Sequence, residues 1–213
     1  MNNIRIMGEG QISGAAYGKV SVMGKAVSDE PIFCEKLNIM GEADVKSNIK
    51  AGFVKLSGEM RIDGKADFEQ ARIMGVVRSA GSWRCGTLKL LGELYSDGGC
   101  YNEHVTVRGV INAKGLFSAD YALFRCRYPS LFEEMGGQSL RVFRPWYNRL
   151  AGGFTVTADS MEFDDIDIDY VKAGTVRGHN IKIGQHCEID LVEYSGTLTV
   201  YQGARIGQQV KIG

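Results

Sequence analysis

Three histidines, His104, His179 and His186, have the widest chemical range of the side chains in this sequence. Three histidines can hold a zinc ion, and a single histidine can act as the general base of an acyl transfer. His179 and His186 are close in the chain, whereas His104 lies far before both of them. A zinc site would therefore need a fold or a subunit interface that brings distant residues together.

The five cysteines contain no Cys-x-x-Cys pair, and their number is odd. Both facts argue against a disulfide framework and against a zinc site built on thiolates. We expect free, buried thiols in a reducing compartment. The spacing of the residues shows neither a Ser-His-Asp nor a Cys-His arrangement. The sequence therefore predicts no catalytic residue, no cofactor and no metal site.

The segment "MEFDDIDIDYV", residues 161–171, carries aspartates that alternate with isoleucines. Alternating aspartates on β-structure can bind calcium, but the glycine-rich nonapeptide of such sites is missing. The simplest interpretation is a strand with one acidic face. We expect this face to pair with an arginine-rich segment of the chain, within the molecule or between molecules. Its aspartates are Asp164, Asp165, Asp167 and Asp169.

A segment rich in arginine and aromatic residues lies within 122–180. Ser130 followed by Glu133 matches a capping box and predicts a helix of one or two turns before Gly136. A basic, aromatic segment favours a docking surface for a partner, a second subunit or a membrane face. The alternative is an irregular coil whose aromatics cover the core. The predicted docking residues are Arg141, Arg144, Trp146 and Tyr147.

The overall charge is balanced, because the sequence has 25 basic and 25 acidic residues. No long-range field would attract a polyanion, so the composition argues against nucleic acid as a partner. The sequence has no basic start followed by an apolar stretch and no membrane-length apolar run. We therefore expect a soluble, cytoplasmic protein.

The elements that must position these residues come from a 17-residue repeat. Apolar residues stand four and two places before a glycine, with a polar residue between them, as in "LNIMGEADV" at 37–45. The alternation continues after the glycine and resumes about eight places before it. Each repeat therefore holds three short strands. The evenly spaced glycines, preceded by Gly8 at a slightly shorter distance, are Gly24, Gly41, Gly58, Gly75, Gly92 and Gly109.

A 17-residue unit is too short for a strand, a helix and a return, so its strands must pair with those of the next repeat. This predicts an all-β fold, a parallel β-helix of roughly triangular section. The glycine fits a corner that needs a positive φ or a close backbone approach. We expect a right-handed winding, which is the usual sense of parallel crossovers.

The repeat divides the chain into three parts. Residues 1–121 form about seven regular coils, residues 122–180 an irregular part, and residues 181–213 the terminal coils. The first column of inward residues starts at Ile4, Ile6 and Ile12, and the last one ends at Val210 and Ile212. No capping helix is predicted at either end, so each end is a template for another copy.

The repeat resembles that of the bactofilins, the polymer-forming cytoskeletal proteins of bacteria. The resemblance rests on the 17-residue phase, on the apolar pairs in "VSVMGKAV" and "LNIMGEADV", and on the uncapped ends. It covers residues 4–121 well and 181–213 loosely. It implies a β-helix that polymerises through its terminal coils without nucleotide, into nonpolar filaments or sheets. Family members position cell-shape, cell-wall or motility proteins.

The main functional prediction is therefore a non-enzymatic scaffold that assembles with itself. Its polymer contacts are Ile4, Ile6 and Ile12 at one end and Val210 and Ile212 at the other. Other bactofilin-like subunits and membrane-associated or envelope proteins are further expected partners, which would hold it at the inner face of the membrane. Two alternatives remain open: a hexapeptide-type enzyme trimer, an acyltransferase or carbonic anhydrase, with His179 or His186 as base, and a β-helix adaptor that does not polymerise.

Overall fold

The computed structural model describes residues 2–14, 16–125, 128–144 and 153–213. They form an all-β solenoid of about 12 turns, with roughly 17 residues per coil. Fifteen parallel strands belong to one continuous sheet. This confirms the predicted fold class, while the right-handed sense of winding stays a prediction. The described residues contain no helix that is long and apolar enough to cross a membrane.

The strands follow one another around the solenoid, and each coil pairs with the coil before it and the coil after it. The strands are β1 Asn2–Gln11, β2 Ala16–Ser28, β3 Ile32–Val45, β4 Ile49–Ile62, β5 Ala66–Ile73, β6 Val76–Ser79, β7 Trp83–Leu90, β8 Glu93–Ser96, β9 Cys100–Val107, β10 Val110–Phe124, β11 Ser130–Val142, β12 Val156–Ile168, β13 Val171–Ile183, β14 Glu188–Val200 and β15 Arg205–Lys211.

Strand β3 shows how one coil is built. Its buried residues are Ile32, then Leu37 and Ile39, then Ala43 and Val45. The breaks in this period-two pattern divide the strand into three short stretches, as the sequence predicted. The polar residues between them face water. Equivalent residues of successive coils lie side by side and form a column, for example Val22, Ile39 and Leu56.

The core consists of these stacked columns and has its largest side chains in the middle coils. Trp83 is fully buried, and its ring packs edge-on against Phe68 with the ring centroids 5.1 Å apart. Its indole Nε1 donates a hydrogen bond to Asn102 Oδ1 at 3.2 Å. Each buried aliphatic or aromatic side chain contributes about 1.5–3 kcal/mol, so the columns suffice to hold the coils together.

The repeated glycines occupy one corner of the solenoid, and we call this position the glycine corner. Gly24 and Gly41 have positive φ values of 131° and 133°. At Gly75 and Gly92, whose φ values are not in that region, a Cβ atom would overlap the carbonyl oxygen of the glycine one coil earlier. Both reasons predicted from the sequence therefore apply, positive φ in some coils and close backbone approach throughout.

The pairing register separates a regular and an irregular half. Val20 pairs with Leu37, and the same offset is kept up to the pair of Val105 and Ala122. Beyond that point the offset changes from one coil to the next. Phe124 pairs with Val142, Ser130 with Val156 and Val156 with Val171. The first of these three offsets is slightly longer than the repeat, the second is much longer and the third is shorter.

The predicted helix after Ser130 is wrong, because the residues form strand β11. Both residues of the expected capping box serve the preceding coil instead. The Ile111 N–H donates to Ser130 Oγ at 3.1 Å, and the Gly115 N–H donates to Glu133 Oε2 at 2.6 Å. The Ser130 hydroxyl and the Glu133 carboxylate therefore accept hydrogen bonds from the neighbouring strand and are not available to cap a helix.

Candidate functional site

The N-terminal face of the solenoid is formed by β1. This strand pairs with β2 along one edge, and no described strand pairs with its other edge. Of the three residues predicted to form this interface, Ile4 is half-buried, Ile6 is 8% exposed and Ile12 is 3% exposed. Ile12 therefore belongs to the core, and Ile4 and the strand edge form the accessible part of this face.

The backbone of Gly10 explains why Ile6 is covered although no described coil precedes it. An atom at the Cβ position of Gly10 would lie 3.0 Å from Ile6 Cγ2. The Ile6 side chain therefore packs against the backbone of Gly10 in the same coil. This contact shields Ile6 from solvent.

The C-terminal face is more open and more apolar. Strand β15 pairs with residues 188–194 of β14. Residues 197–200 of β14 pair with β13 on one edge, and no described strand pairs with their other edge. The exposed fraction is 41% for Val200 and 55% for Tyr201. Leu198 and Ile206 are only partly buried against the core. These four residues were not among those predicted for the interface, although Leu198 and Ile206 continue the inward columns of the preceding coils.

Val210 and Ile212, the residues predicted for this end, do not continue the inward columns. The register pairs Gln209 with the buried Val192 and places Val210 beside Glu193, on the outer side. Ile212 lies in an outer groove. The sequence pattern failed here because the corner between the stretches shifts the alternation by one residue. Both side chains are half-exposed, next to the C-terminal face.

The outer groove has a volume of about 560 Å³ and runs across the last coils. His179 and Ser195 lie in it, with His179 Nδ1 and Ser195 Oγ 2.9 Å apart. Arg177 borders the groove between Glu193 and Glu162, and its ion pair with Glu162 measures 3.4 Å. The hydrogen bond and charge of Glu193, followed by the charge of Glu162, raise the pKa of Arg177.

The three histidines lie at separate places. His104 stacks on Tyr121 with the ring centroids 5.1 Å apart, and His186 stacks on Tyr170 with the centroids 4.8 Å apart. His179 has Ser195 as its neighbour. Within the described part of the chain, no group of three His, Cys, Asp or Glu side chains is arranged to hold a metal ion.

The predicted docking residues have different surroundings. Arg144 is 4% exposed, its guanidinium lies 4.1 Å from the ring centroid of Tyr170, and its Nη2 donates to the Gly153 carbonyl at 2.7 Å. Arg144 is therefore a structural side chain of the solenoid. Arg141 is exposed on β11. Trp146 and Tyr147 lie outside the described residues.

Arg141 is one of the basic residues that the structure places next to the acidic strand. In the register it lies between Leu123 of β10 and Asp167 of β12, and Asp167 in turn lies beside Lys182. Neighbouring strands are about 4.8 Å apart, so charges of opposite sign alternate along this column. The register thus places Asp167 beside two basic residues, and the pairing of the acidic strand with the arginine-rich segment stays a prediction.

The described cysteines are free thiols, as predicted. Cys85, Cys100 and Cys187 are buried, and burial raises the pKa of each thiol to about 12. Cys34 is half-buried, and burial raises its pKa to about 11. Thiols of this kind are almost entirely protonated near neutral pH and are poor nucleophiles.

No family model matches the chain, and no solved structure matches it. A curated relative is the uncharacterized protein YhbE of Bacillus subtilis (strain 168), which is 40% identical over 57 residues. The match covers 27% of this chain and spans about a quarter, 24%, of YhbE. The similarity is thus confined to a segment of each protein.

Proposed function

We propose that the protein is a non-enzymatic scaffold that assembles end to end, through the terminal coils of its solenoid, into filaments or sheets. The observation that supports this most is the C-terminal face. There, Leu198, Val200 and Ile206 are partly exposed beside a strand edge that no described strand pairs with. An open edge next to apolar side chains is a template for another strand.

A second copy of the chain would satisfy this edge. Every inner coil is held by hydrogen bonds to a coil on each side, and a terminal coil is held on one side only. Stacking two terminal coils at the usual strand spacing of about 4.8 Å would pair the free N–H and C=O groups and bury the apolar side chains. This assembly requires no nucleotide and no metal.

The two faces should contribute unequally. The C-terminal face exposes Val200 and Tyr201 by 41% and 55%, whereas at the N-terminal face Ile6 and Ile12 are exposed by only 8% and 3%. Apolar burial contributes about 25 cal/mol per Å², so the C-terminal contact should be the stronger one. The N-terminal contact then depends more on Ile4 and on the backbone edge of β1.

A pelleting experiment with matched variants tests this proposal. Leu198→Lys places a charge in the C-terminal contact, and Thr199→Lys adds the same charge to the next residue, which is exposed. We expect Leu198→Lys to abolish pelleting and Thr199→Lys to pellet like the unchanged protein. Circular dichroism checks that both variants are folded. A folded Leu198→Lys protein that pellets normally would refute the C-terminal contact.

The corresponding pair for the N-terminal face is Ile4→Lys and Asn3→Lys, because Ile4 is half-buried and Asn3 is exposed. We expect shorter polymers from Ile4→Lys and unchanged polymers from Asn3→Lys. Equal polymer lengths in the two variants would show that Ile4 is not part of a contact.

Cellular partners and location extend the proposal. A cytoplasmic polymer with a long, regular side surface can hold other proteins at fixed spacing. Membrane-associated or envelope proteins are the partners we propose, and they would place the polymer at the inner face of the membrane. Co-purification of such proteins with polymeric protein, and not with Leu198→Lys, is the expected result. Equal recovery with both forms would contradict it.

The groove at His179 favours one second candidate, an acyl-transfer enzyme. His179 Nδ1 and Ser195 Oγ are in hydrogen-bond contact, which is the arrangement by which a histidine activates a hydroxyl group. Both side chains are accessible from the groove. His179→Ala is the variant that tests this candidate. Hydrolysis of a p-nitrophenyl ester by the unchanged protein that is lost in His179→Ala would favour the enzyme over the scaffold.

A further inference from the structure

A row of exposed apolar side chains runs along the regular half of the solenoid. These residues stand directly before the glycines of the glycine corner, and each belongs to a different coil. Their exposed fractions are 68%, 41%, 59%, 52% and 56% in chain order. We call this row the methionine ridge, and it consists of Met7, Met23, Met40, Met74 and Leu91.

The ridge follows the solenoid axis and is interrupted at one coil. Met7 pairs with Met23, Met23 with Met40 and Met40 with Ser57, the only polar member of the column within these six coils. At about 4.8 Å per coil, the six positions span about 24 Å. The glycines next to it have no side chains that cover it. A contiguous exposed apolar surface marks a site of interaction.

A row of basic side chains borders the ridge on one side. It lies two residues before the ridge in each coil, where the side chains also point outward. Four of its six members are basic, and the other two are Ser21 and Asn38. We call it the basic row, and its charged members are Arg5, Lys55, Arg72 and Lys89.

A row of mainly acidic side chains borders the ridge on the other side. It lies two residues after the ridge in each coil, just beyond the glycine. Four of its six members are glutamates, and the other two are Lys25 and Val76. We call it the acidic row, and its glutamates are Glu9, Glu42, Glu59 and Glu93.

These charges determine how two ridges can face each other. If two copies pack ridge to ridge and point in the same direction, a two-fold axis parallel to the solenoid brings the basic row of one copy onto the acidic row of the other. Arg5, Lys55 and Lys89 then face Glu9, Glu59 and Glu93 of the second copy at the same coil level. If the copies point in opposite directions, basic row faces basic row and acidic row faces acidic row, which is unfavourable.

We propose that the methionine ridge is a lateral contact by which two copies of this chain pack side by side in the same direction. Methionine side chains are flexible and fit against one another without exact complementarity. An anionic membrane is the less favourable occupant, because the acidic row would lie against it together with the basic row.

The size of the ridge determines whether two single subunits or only two polymers associate strongly. Five apolar side chains per copy make a smaller interface than the roughly 800 Å² per partner of a stable complex. A single pair of subunits should therefore associate weakly. In an end-to-end polymer the same contact repeats in every subunit, so two filaments would join strongly by avidity. This last step depends on the proposed function.

Variants with one added cysteine test the direction of packing. Met23 and Met74 are three coils apart, about 14 Å along the axis. In the parallel arrangement each residue faces the same residue of the second copy. Met23→Cys and Met74→Cys should therefore each form a dimer with a short bismaleimide. In a centred antiparallel arrangement Met23 would face Met74, and only the mixture of the two variants would be crosslinked. Lys50→Cys, on another face, and the unchanged protein are the controls.

Two crosslinked homodimers, without such a dimer in either control, are the expected result. Crosslinking of the mixture alone, or of neither variant, would overturn the proposal. Binding to vesicles of equal parts phosphatidylcholine and phosphatidylglycerol that is lost in Met40→Glu, without any crosslink, would assign the ridge to a membrane instead.

Electron micrographs separate this inference from the proposed function. If polymers form but neither variant is crosslinked, the lateral contact is wrong and end-to-end assembly stands. If no polymers form while both variants are crosslinked, the scaffold proposal is wrong and the lateral contact stands. Met74 lies in a middle coil, so contacts between solenoid ends do not bring its copies together.

Discussion

The same corner of the solenoid is built differently in the two halves of the molecule. In the regular half the corner is bare glycine backbone, and the Glu93 N–H donates to the Gly75 carbonyl at 2.8 Å. In the irregular half Tyr170 and His186 occupy this corner with positive φ values of 57° and 56° and stack on each other. A solenoid can therefore turn this corner with side chains, and the coils from Gly24 to Gly109 that turn it with glycine keep a constant 17-residue spacing.

This difference in construction determines what each half presents to solvent. With a constant offset, residues of one kind fall into straight columns, and the methionine ridge is such a column. Beyond Leu91 the equivalent positions are occupied by residues whose N–H groups bond to the coil before in the same way, namely Arg108, Arg125, Phe143, Asp169, Gly184 and Tyr201. No apolar column of one residue type forms among these positions. The regular half thus offers a repeating side, and the irregular half leads to an open end.

The largest expected effect comes from a substitution that disrupts the glycine corner. Gly75→Ala places a Cβ against the carbonyl oxygen of Gly58, so the two coils must move apart. We expect a loss of about 3 kcal/mol in the free energy of unfolding. Gly136→Ala in the irregular half is the control, because its nearest contact would be Glu162 O at 3.5 Å. It should be neutral or stabilising by about 0.5 kcal/mol.

Urea denaturation of both glycine variants measures these free energies. Equal losses at Gly75 and Gly136 would contradict the claim that the loss at Gly75 comes from close backbone approach at the glycine corner.

An intermediate effect is expected from the two arginines that lie over tyrosine rings. Arg144 is buried over Tyr170 in the irregular half, and Arg78 is exposed over Tyr95 in the regular half, with 4.5 Å to the ring centroid. Arg144→Ala should cost about 2 kcal/mol, because it also removes the bond to the Gly153 carbonyl. Arg78→Ala should cost about 0.5 kcal/mol.

Thermal unfolding of the two arginine variants compares them directly. A melting temperature that falls as much in Arg78→Ala as in Arg144→Ala would show that Arg144 does not hold the irregular coils together.

The last expected effect is a loss of stability that appears only in alkali. Burial raises the pKa of Cys100 from 9.0 to about 12, so the unfolded chain releases the thiol proton first. The contribution of this group is complete below pH 9 and is lost as the pH rises from there towards 12. The slope is at most about 1.4 kcal/mol per pH unit for each such thiol.

Cys100→Ala should flatten the dependence of the unfolding free energy on pH above pH 9, whatever its effect at neutral pH. The half-buried Cys34, as Cys34→Ala, provides the comparison, with a slope that ends near pH 11. An unchanged slope in Cys100→Ala would mean that this thiol ionises as readily in the folded protein as in the unfolded one.

The regular half was predictable because its signals are local. The alternation around Ile32, Leu37 and Ile39 is visible within one repeat, and the glycine after it marks the corner. The capping box at Ser130 is equally local, but the neighbouring coil competes for its hydroxyl and carboxylate groups. A pattern within one segment does not show such a competitor.

The candidate site was less predictable because its features depend on residues far apart in the sequence. The burial of Arg144 depends on Tyr170, and the position of Val210 depends on a corner after Ile206 that shifts the alternation by one residue. The exposed apolar residues of the C-terminal face follow from the absence of a further described coil. The repeated methionines of the ridge are visible in the sequence. The structure was needed to show that their side chains are exposed and therefore form a surface.

Negative-stain electron microscopy of the purified, unchanged protein tests the central claim most directly. The sample contains neither nucleotide nor metal and is imaged over a range of salt concentrations. End-to-end assembly predicts filaments or sheets whose subunits repeat along the solenoid axis. Uniform small particles at every salt concentration, from protein that is folded by circular dichroism, would contradict it.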